Sequence, residues 1–439
     1  MNNDYRSRIT TADEAIAAVG SGQRVYVHNG CAEPIELVQA LTRRGPEVRN
    51  VEVLHMATMG IADYTRPEYE GHFRHSALFI GGNVRKAVQE GRADYTPIFL
   101  SEIEGLFNSG ALPVDVCLLQ CTPPDNYGYM SLGVAVDVSH AAAQCAKHVV
   151  VEINDRMPRT HGDTFLHVSR VDAFIETSHP LAEYPKHEIS DVQRAIAKHV
   201  APLIPDGATI QTGIGGIPEA VLGLLRDHKD LGIHSEMIPD SAVDLILAGV
   251  INGERKTLHP RKCVAGFVLG TKLLFDFIDN NPSFEFHRTA YANDPFVIAQ
   301  NDRMVALNSA IEVDLTGQVC ADSMGQTMYS GIGGQVDFLR GAARSKGGKP
   351  IITLPATAKN GAISRIVPRL QPGAGVVTSR GDVHYVITEH GVAYLHGKTL
   401  RQRAEALIAI AAPQFREELE REAVEAKILS PDRACVAVI

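Results

Sequence analysis

One carboxylate in this 439-residue chain, Glu236, stands between two glycine-rich loops. QTGIGGIPEA at 211–220 precedes it, YSGIGGQVDF at 329–338 follows it, and Glu236 itself lies in GIHSEM at 232–237. Glycines let a backbone come close to a ligand and aim its N–H groups at it. A carboxylate bracketed by two such loops suits acyl chemistry. Taken alone, a glutamate near a strand end is a solvated surface group, but Glu236 follows a short β-run, at the edge where open α/β sheets bind ligands. His234, two residues earlier, points to the same side of that strand and reads as a supporting group.

The first loop follows a strand and opens a helix, the setting of the dinucleotide fingerprint. Pro218 stands where the third fingerprint glycine belongs, and proline fits a first helical turn, not a close helix-to-strand contact. No Walker lysine follows, which removes a P-loop. A purely structural turn and a loop holding a phosphate-bearing or acyl ligand both stay open. No G-x-S-x-G elbow and no H-E-x-x-H or other metal cluster is legible. The seven cysteines (31, 117, 121, 145, 263, 320, 435) show no C-x-x-C or zinc-type spacing and read as reduced, mostly buried small hydrophobes.

Net charge is −9, which argues against general nucleic-acid binding. Within it lies a basic island. Between residues 340 and 369 stand Arg340, Arg344, Lys346, Lys349, Lys359, Arg365 and Arg369, with no Asp or Glu. A solvated positive face is one reading; a site for a small phosphate-bearing polyanion, directly after the second glycine loop, is the other.

The elements that must position these groups alternate. Strand-like runs occur at 51–57, 114–121, 148–154, 208–214, 262–269, 303–310, 350–355 and 383–388, separated by amphipathic helical stretches such as 34–44 and 399–422. In 399–422 Leu400, Leu407, Ile408 and Phe415 recur at helical spacing. The pattern predicts an α/β fold of largely parallel strands covered by helices. The polar segment 177–190, with two prolines, is expected to be the interdomain linker. Residues 22–41 and 207–225 share a glycine, a strand-like run, a loop, a proline and a helix, which makes a duplicated domain the economical architecture. The N-terminus carries no apolar run of signal type, and no stretch of about 18 apolar residues occurs. A cytoplasmic location without membrane contact is the expectation.

GIHSEM with DLILAGVINGERKTLHPRK, then YANDPFVIAQND (291–302), YSGIGGQVDFLRGA (329–342), PATAKNGAISRIVP (355–368) and LRQRAEALIAIA together resemble the acetyl-CoA hydrolase/transferase family. The resemblance runs over nearly the whole chain and implies two tandem open α/β domains of similar topology, 1–182 and 183–439, with the active site between them. It implies a CoA-transferase working by a ping-pong route through a glutamyl-CoA thioester. Glu236 falls on the family's nucleophile, while Asn293 and the Gly334 N–H fall on its oxyanion hole. Gln211, Thr212, Gly213, Ile214, Gly215, Ile311 and Gly334 fall on CoA-binding positions, with Lys359 of the basic island a further candidate. CoA enters as substrate, with no permanently bound cofactor and no metal. The acids implied are short, of acetate, butyrate or 4-hydroxybutyrate type, in a pocket near His28, Asn29 and Glu33 or the segment 55–60. An acyl-CoA hydrolase using the same glutamate and a non-catalytic CoA-binding protein remain as alternatives. A homodimer or higher homo-oligomer is expected.

Overall fold

The first strand of each half is buried on both faces, as a strand inside a parallel sheet covered by helices must be. Arg24–Val27 is buried from Val25 onward and Thr209–Thr212 is buried throughout. In the computed structural model, which describes residues 5–186 and 188–430, each of these strands founds its own open sheet.

From Arg24–Val27 the chain steps outward through Val51–His55, Phe73–Ala77 and Ala93–Tyr95. It then returns to the other side for Val116–Cys121, His148–Asn154 and Ala173–Thr177, all parallel. In the second half Gly232–Ile233 flanks Thr209–Thr212 on one side. Met304–Ser309, Lys349–Thr353 and Tyr385–Thr388 follow in parallel on the other, and Gly391–Tyr394 closes the edge antiparallel. Each sheet therefore reverses its order beside its first strand, which opens a crevice at the carboxyl ends there. The segments 22–41 and 207–225 occupy the same place in the two sheets, each giving the switch-point strand, a loop and a covering helix, Ile35–Arg43 or Gly216–Gly223. Two open α/β domains of similar topology is thus the architecture, and one apolar core runs through both, from Leu119 and Val151 to Val268 and Ile210.

Three elements differ from their expected form. The run 262–269 is two strands, Cys263–Ala265 paired with Phe284–Phe286 and Phe267–Leu269 paired with Met237–Pro239. They break at Gly266, whose carbonyl accepts the N–H groups of Val136 at 3.0 Å and Asp137 at 3.1 Å. The stretch 399–422 is two helices, Leu400–Ala409 and Pro413–Glu425, because Pro413 has no N–H to continue the first and starts the second. The segment 177–190 is a strap rather than a free linker: Tyr184 N–H donates to Gly270 O at 2.9 Å and Lys272 N–H to the Glu183 carboxylate at 2.9 Å. The expected domain boundary at residue 182 falls in this strap. Cys31, Cys117, Cys121, Cys145, Cys263 and Cys320 are free thiols, all buried but Cys145, and Cys435 lies outside the described residues. Among the described residues no helix is long and apolar enough to cross a membrane.

The halves are stitched by backbone. Ala135 bridges Phe267 and Gly162 bridges Phe286. Gly162 has φ +106°, and a Cβ there would lie 2.2 Å from the Phe286 carbonyl oxygen. Gly162→Ala must strain the backbone and push the halves apart. It is expected to cost about 3 kcal/mol, read as a fall in denaturation midpoint.

Candidate active site

Glu236 sits in a two-strand gap. The chain runs along Gly232–Ile233, passes through His234 and Ser235, and resumes as Met237–Pro239, so residue 236 lies in the break just before the second strand. Its backbone is fixed by Gly266 N–H donating to Glu236 O at 2.9 Å, and Ser235 N–H donates to Val264 O at 3.0 Å. The side chain is partly buried.

Two donors converge on its carboxylate. The Asn293 Nδ2–H donates to Glu236 Oε2 at 2.9 Å, and the Gly334 backbone N–H donates to the same carboxylate. Asn293 ends the helix Thr289–Ala292; Asp294 then caps Phe296 N–H at 2.7 Å and Pro295 opens the next helix, so the chain turns where the amide must point. Gly334 precedes the helix Gln335–Arg344 and has an ordinary φ of −96°. Glycine is required there by space, since a Cβ would lie 1.9 Å from Glu236 Oε2 and 2.2 Å from Asn293 Nδ2. The carboxylate thereby meets the positive end of a ten-residue helix.

Those donors favour the ionised form, but desolvation outweighs them. Burial of the carboxyl, with the Asp137 charge adding to it, pushes the Glu236 pKa up to about 7. Asp137 is fully buried: its Oδ1 accepts from Asn29 Nδ2 at 3.0 Å, from Ser139 N at 2.8 Å and from Ser139 Oγ at 2.7 Å, while Oδ2 has no partner among the described residues. A second buried carboxyl, Asp337, is also pushed up to about 7, mainly by burial, with the Glu236 charge contributing. It accepts Ser101 Oγ at 2.9 Å and Ser101 N–H at 3.2 Å, tying the Gly334 helix to the first half. His234, buried, donates Nε2–H to Ala292 O at 2.9 Å, next to Asn293. Burial and the neighbouring Lys256 charge hold its pKa down at about 3, so it braces the amide as a neutral ring.

The first half also holds the second glycine loop. Ser330 O and Gly333 O accept from Ile80 N at 3.3 Å and Leu100 N at 3.2 Å, and Ile332 N–H donates to Tyr95 Oη at 3.0 Å. The Phe79 side chain lies where a Cβ on Gly331 would be, 2.9 Å away. Arg85 covers the Tyr329 ring at 4.0 Å.

The structure brings Glu236, Asn293 and Gly334 together. The candidate CoA positions lie at the second switch point: Gly213, Ile214 and Gly215 form the loop after Thr209–Thr212, with Ile214 exposed, and Ile311 follows the neighbouring strand Met304–Ser309. Gln211 and Thr212 are buried, and Gln211 spends its amide on Asn308 at 3.1 Å and Leu307 O at 3.4 Å. Lys359 is exposed on a turn with φ +48°. The basic island is partly consumed internally, since Arg340 pairs with Asp382 at 3.2 Å and Lys349 Nζ donates to Leu203 O at 2.5 Å. Of the residues expected near the acid pocket, His28, Asn29 and Glu33 are buried and hydrogen-bonded inside the first half, and Met56 is core; Ala57, Met59 and Gly60 are partly open. Asp137, Ser101 and Asp337 were not singled out by the sequence; the D-x-S turn at 137–139 is the one local signal among them.

Profiles of the N-terminal and C-terminal domains of the acetyl-CoA hydrolase/transferase family match residues 1–182 and 270–423. The chain is 52% identical to the 4-hydroxybutyrate coenzyme A transferase of Clostridium kluyveri over 95% of this chain and 97% of that one. It is 49% identical to the succinyl-CoA:acetate/propanoyl-CoA:succinate CoA transferase of Fasciola hepatica over 95% and 87%. The crystal structure of a 4-hydroxybutyrate CoA-transferase from Porphyromonas gingivalis superposes with TM-score 0.83 at 43% identity, covering 96% of this chain and 98% of that one.

A carboxyl raised from 4.5 to about 7 binds its proton in the native state while the unfolded chain has lost it, so it lowers stability as pH climbs through that window and holds the full penalty above it. Glu236→Gln removes the penalty. The variant is expected to match wild type near pH 4 and to exceed it by up to about 3 kcal/mol near pH 8, measured by denaturant titration. Gly334→Ala, which drives a methyl into the Glu236–Asn293 pair, is expected to keep the fold and lower turnover by about 10² or more.

Proposed function

This chain belongs to the acetyl-CoA hydrolase/transferase family and is an enzyme that transfers CoA between an acyl-CoA and a carboxylate, and from that premise we propose that Glu236 carries the CoA as a glutamyl thioester between two half-reactions. The observation that carries the proposal is the Glu236 carboxylate, raised in basicity by burial and gripped by the Asn293 amide and the Gly334 N–H.

A Glu236 oxygen attacks the thioester carbonyl of the bound acyl-CoA. The carbonyl π pair moves onto oxygen, then returns as the C–S bond breaks, leaving an acyl-glutamyl anhydride and CoA thiolate. The thiolate attacks the glutamyl carbonyl, and the acyl group departs as a free carboxylate. The enzyme now holds CoA on Glu236, and a second acid runs the same steps backward. No proton is gained or lost overall. A carboxylate nucleophile suits this sequence because anhydride and thioester interconvert readily, whereas a serine ester lies too low to return the CoA. The tetrahedral intermediates need donors aimed at a developing oxyanion, and Asn293 with the Gly334 N–H are the groups within reach; each is worth about 3–4 kcal/mol in comparable sites. The partial burial of Glu236 supports keeping water from the thioester, which is what separates transfer from hydrolysis.

CoA is the substrate, and the loop residues Gly213, Ile214 and Gly215 with Ile311 are the proposed contacts, Gln211 and Thr212 shaping that loop from below. Lys359 is proposed for the nucleotide phosphates. For the acceptor we propose a short monocarboxylate of 4-hydroxybutyrate, butyrate or acetate type, supported by the relative at 52% identity.

Ping-pong transfer requires that labelled butyrate exchange into butyryl-CoA with no second acid present. Wild type is expected to catalyse this exchange and Glu236→Gln to lose it by at least about 10³. Absence of exchange alongside intersecting initial-rate lines, or equal CoA release without any acid, would replace the proposal with direct transfer or with hydrolysis.

A further inference from the structure

Behind the strand that leads to Asn293, three side chains turn ligand-type atoms toward one another. His259 Nδ1, Glu285 Oε2 and a ring nitrogen of His287 all lie within 4.8 Å of each other. Glu285 Oε2 is 2.8 Å from His259 Nδ1 and 3.6 Å from His287 Nε2. The sequence hides the trio, because its members are scattered over two segments with none of the usual ligand spacings. The fold assembles it simply. Glu285 belongs to the strand Phe284–Phe286 and His287 follows it, and residues two apart on a strand share a face. His259 comes from the loop before Cys263–Ala265, the strand paired to it.

The outer side of each imidazole is held. His287 Nδ1 lies 3.1 Å from Asp163 Oδ2. An ionised carboxylate only accepts, so Nδ1 donates to Asp163 and Nε2 is the nitrogen left to face inward. That Nε2 is buried with no hydrogen-bond partner among the described residues. It faces the Glu285 carboxylate at 3.6 Å, two ligand-type atoms turned toward one another without a direct hydrogen bond. His259 Nε2 is fixed 2.6 Å from Tyr291 Oη, so its Nδ1 is aimed at Glu285 Oε2, 2.8 Å away, and a bound metal would displace the proton shared there. A carboxylate behind the histidine is the support found around metal-bound imidazoles.

We propose that His259, Glu285 and His287 form a binding site for a divalent transition-metal ion of zinc type, bracing the strand Phe284–Phe286 and the helix Thr289–Ala292 that ends at Asn293. Two imidazole nitrogens and one carboxylate oxygen leave a fourth position for water. Bonds of about 2.1 Å in a tetrahedron set ligand atoms about 3.4 Å apart, and the two Glu285 separations lie either side of that value. The opposing charge is Lys256, whose buried ammonium has no hydrogen-bond partner among the described residues and acts on both Glu285 and His259. With that competitor present, cations that rely on oxygen ligands and charge, Mg²⁺ and Ca²⁺, are poorly served; a metal that bonds imidazole is favoured.

The test uses the full chain, stripped with chelator and titrated with Co²⁺. One equivalent is expected to bind with the visible bands of a low-coordinate Co²⁺ and to raise the unfolding temperature. X-ray absorption of the Zn²⁺-loaded wild type is expected to show nitrogen and oxygen ligands with two imidazoles. Glu285→Gln and His287→Gln are each expected to weaken binding at least tenfold, and Asp163→Asn about tenfold. His384→Gln, in the close, tilted His384–His396 ring pair elsewhere, is expected to leave binding unchanged. Substoichiometric binding, sulfur ligands in the absorption spectrum, or undiminished binding in both ligand variants overturns the proposal. The spectrum of wild type decides even where a variant fails to fold. None of these readouts involves acyl-CoA, so the site stands or falls separately from the transfer chemistry.

Discussion

The contact on which the rest depends is the one between the Glu236 carboxylate and the Gly334 backbone N–H, made possible by the absence of a Cβ at residue 334. Two opposite forces act on that carboxyl. Burial and the Asp137 charge disfavour ionisation; the Asn293 amide, the Gly334 N–H and the helix end behind it favour ionisation. Burial wins, and the group is poised near neutrality instead of being locked as an inert anion. A fully solvated glutamate would be a weaker nucleophile, and one with more donors would be too stable to attack.

Each half of the molecule supplies what the other lacks. The second half carries Glu236, Asn293 and Gly334, but the loop leading to Gly334 is held by Ile80, Tyr95 and Leu100, and its helix by Ser101 on Asp337. The first half carries Asp137, whose charge reaches Glu236 through packing at Gly266. The two sheets thus share the same switch-point topology, the second carrying the site and the first supplying its wall. The backbone bridges at 135–267 and 162–286 keep that wall in register.

Glu236 and Gly334 were legible in the sequence because glycine at a close approach leaves a local trace, and so were the strands 148–154 and 303–310, whose β-branched runs encode burial directly. Asp137, Ser101 and Asp337 were not, since their partners lie far away in the chain and no short spacing reports them. The run 262–269 reads as one strand because Gly266 interrupts it for a purely tertiary reason, donating to Glu236 O and accepting from residues 136 and 137. Pro413, by contrast, was visible and marks the break between the last two helices. The basic island illustrates the limit of charge counting: Arg340 and Lys349 are spent on Asp382 and Leu203, while Lys359 stays exposed. His259, Glu285 and His287 meet only through the pairing of two short strands.

The most direct measurement is the intact mass of the protein after incubation with butyryl-CoA and no acceptor acid, on wild type and Glu236→Ala, followed by borohydride. A CoA-sized adduct on wild type alone, converted by borohydride to a reduced side chain at residue 236, is the expected result. A wild-type mass that never changes while acyl-CoA is bound, or an adduct that persists in Glu236→Ala, would contradict covalent transfer through this carboxylate.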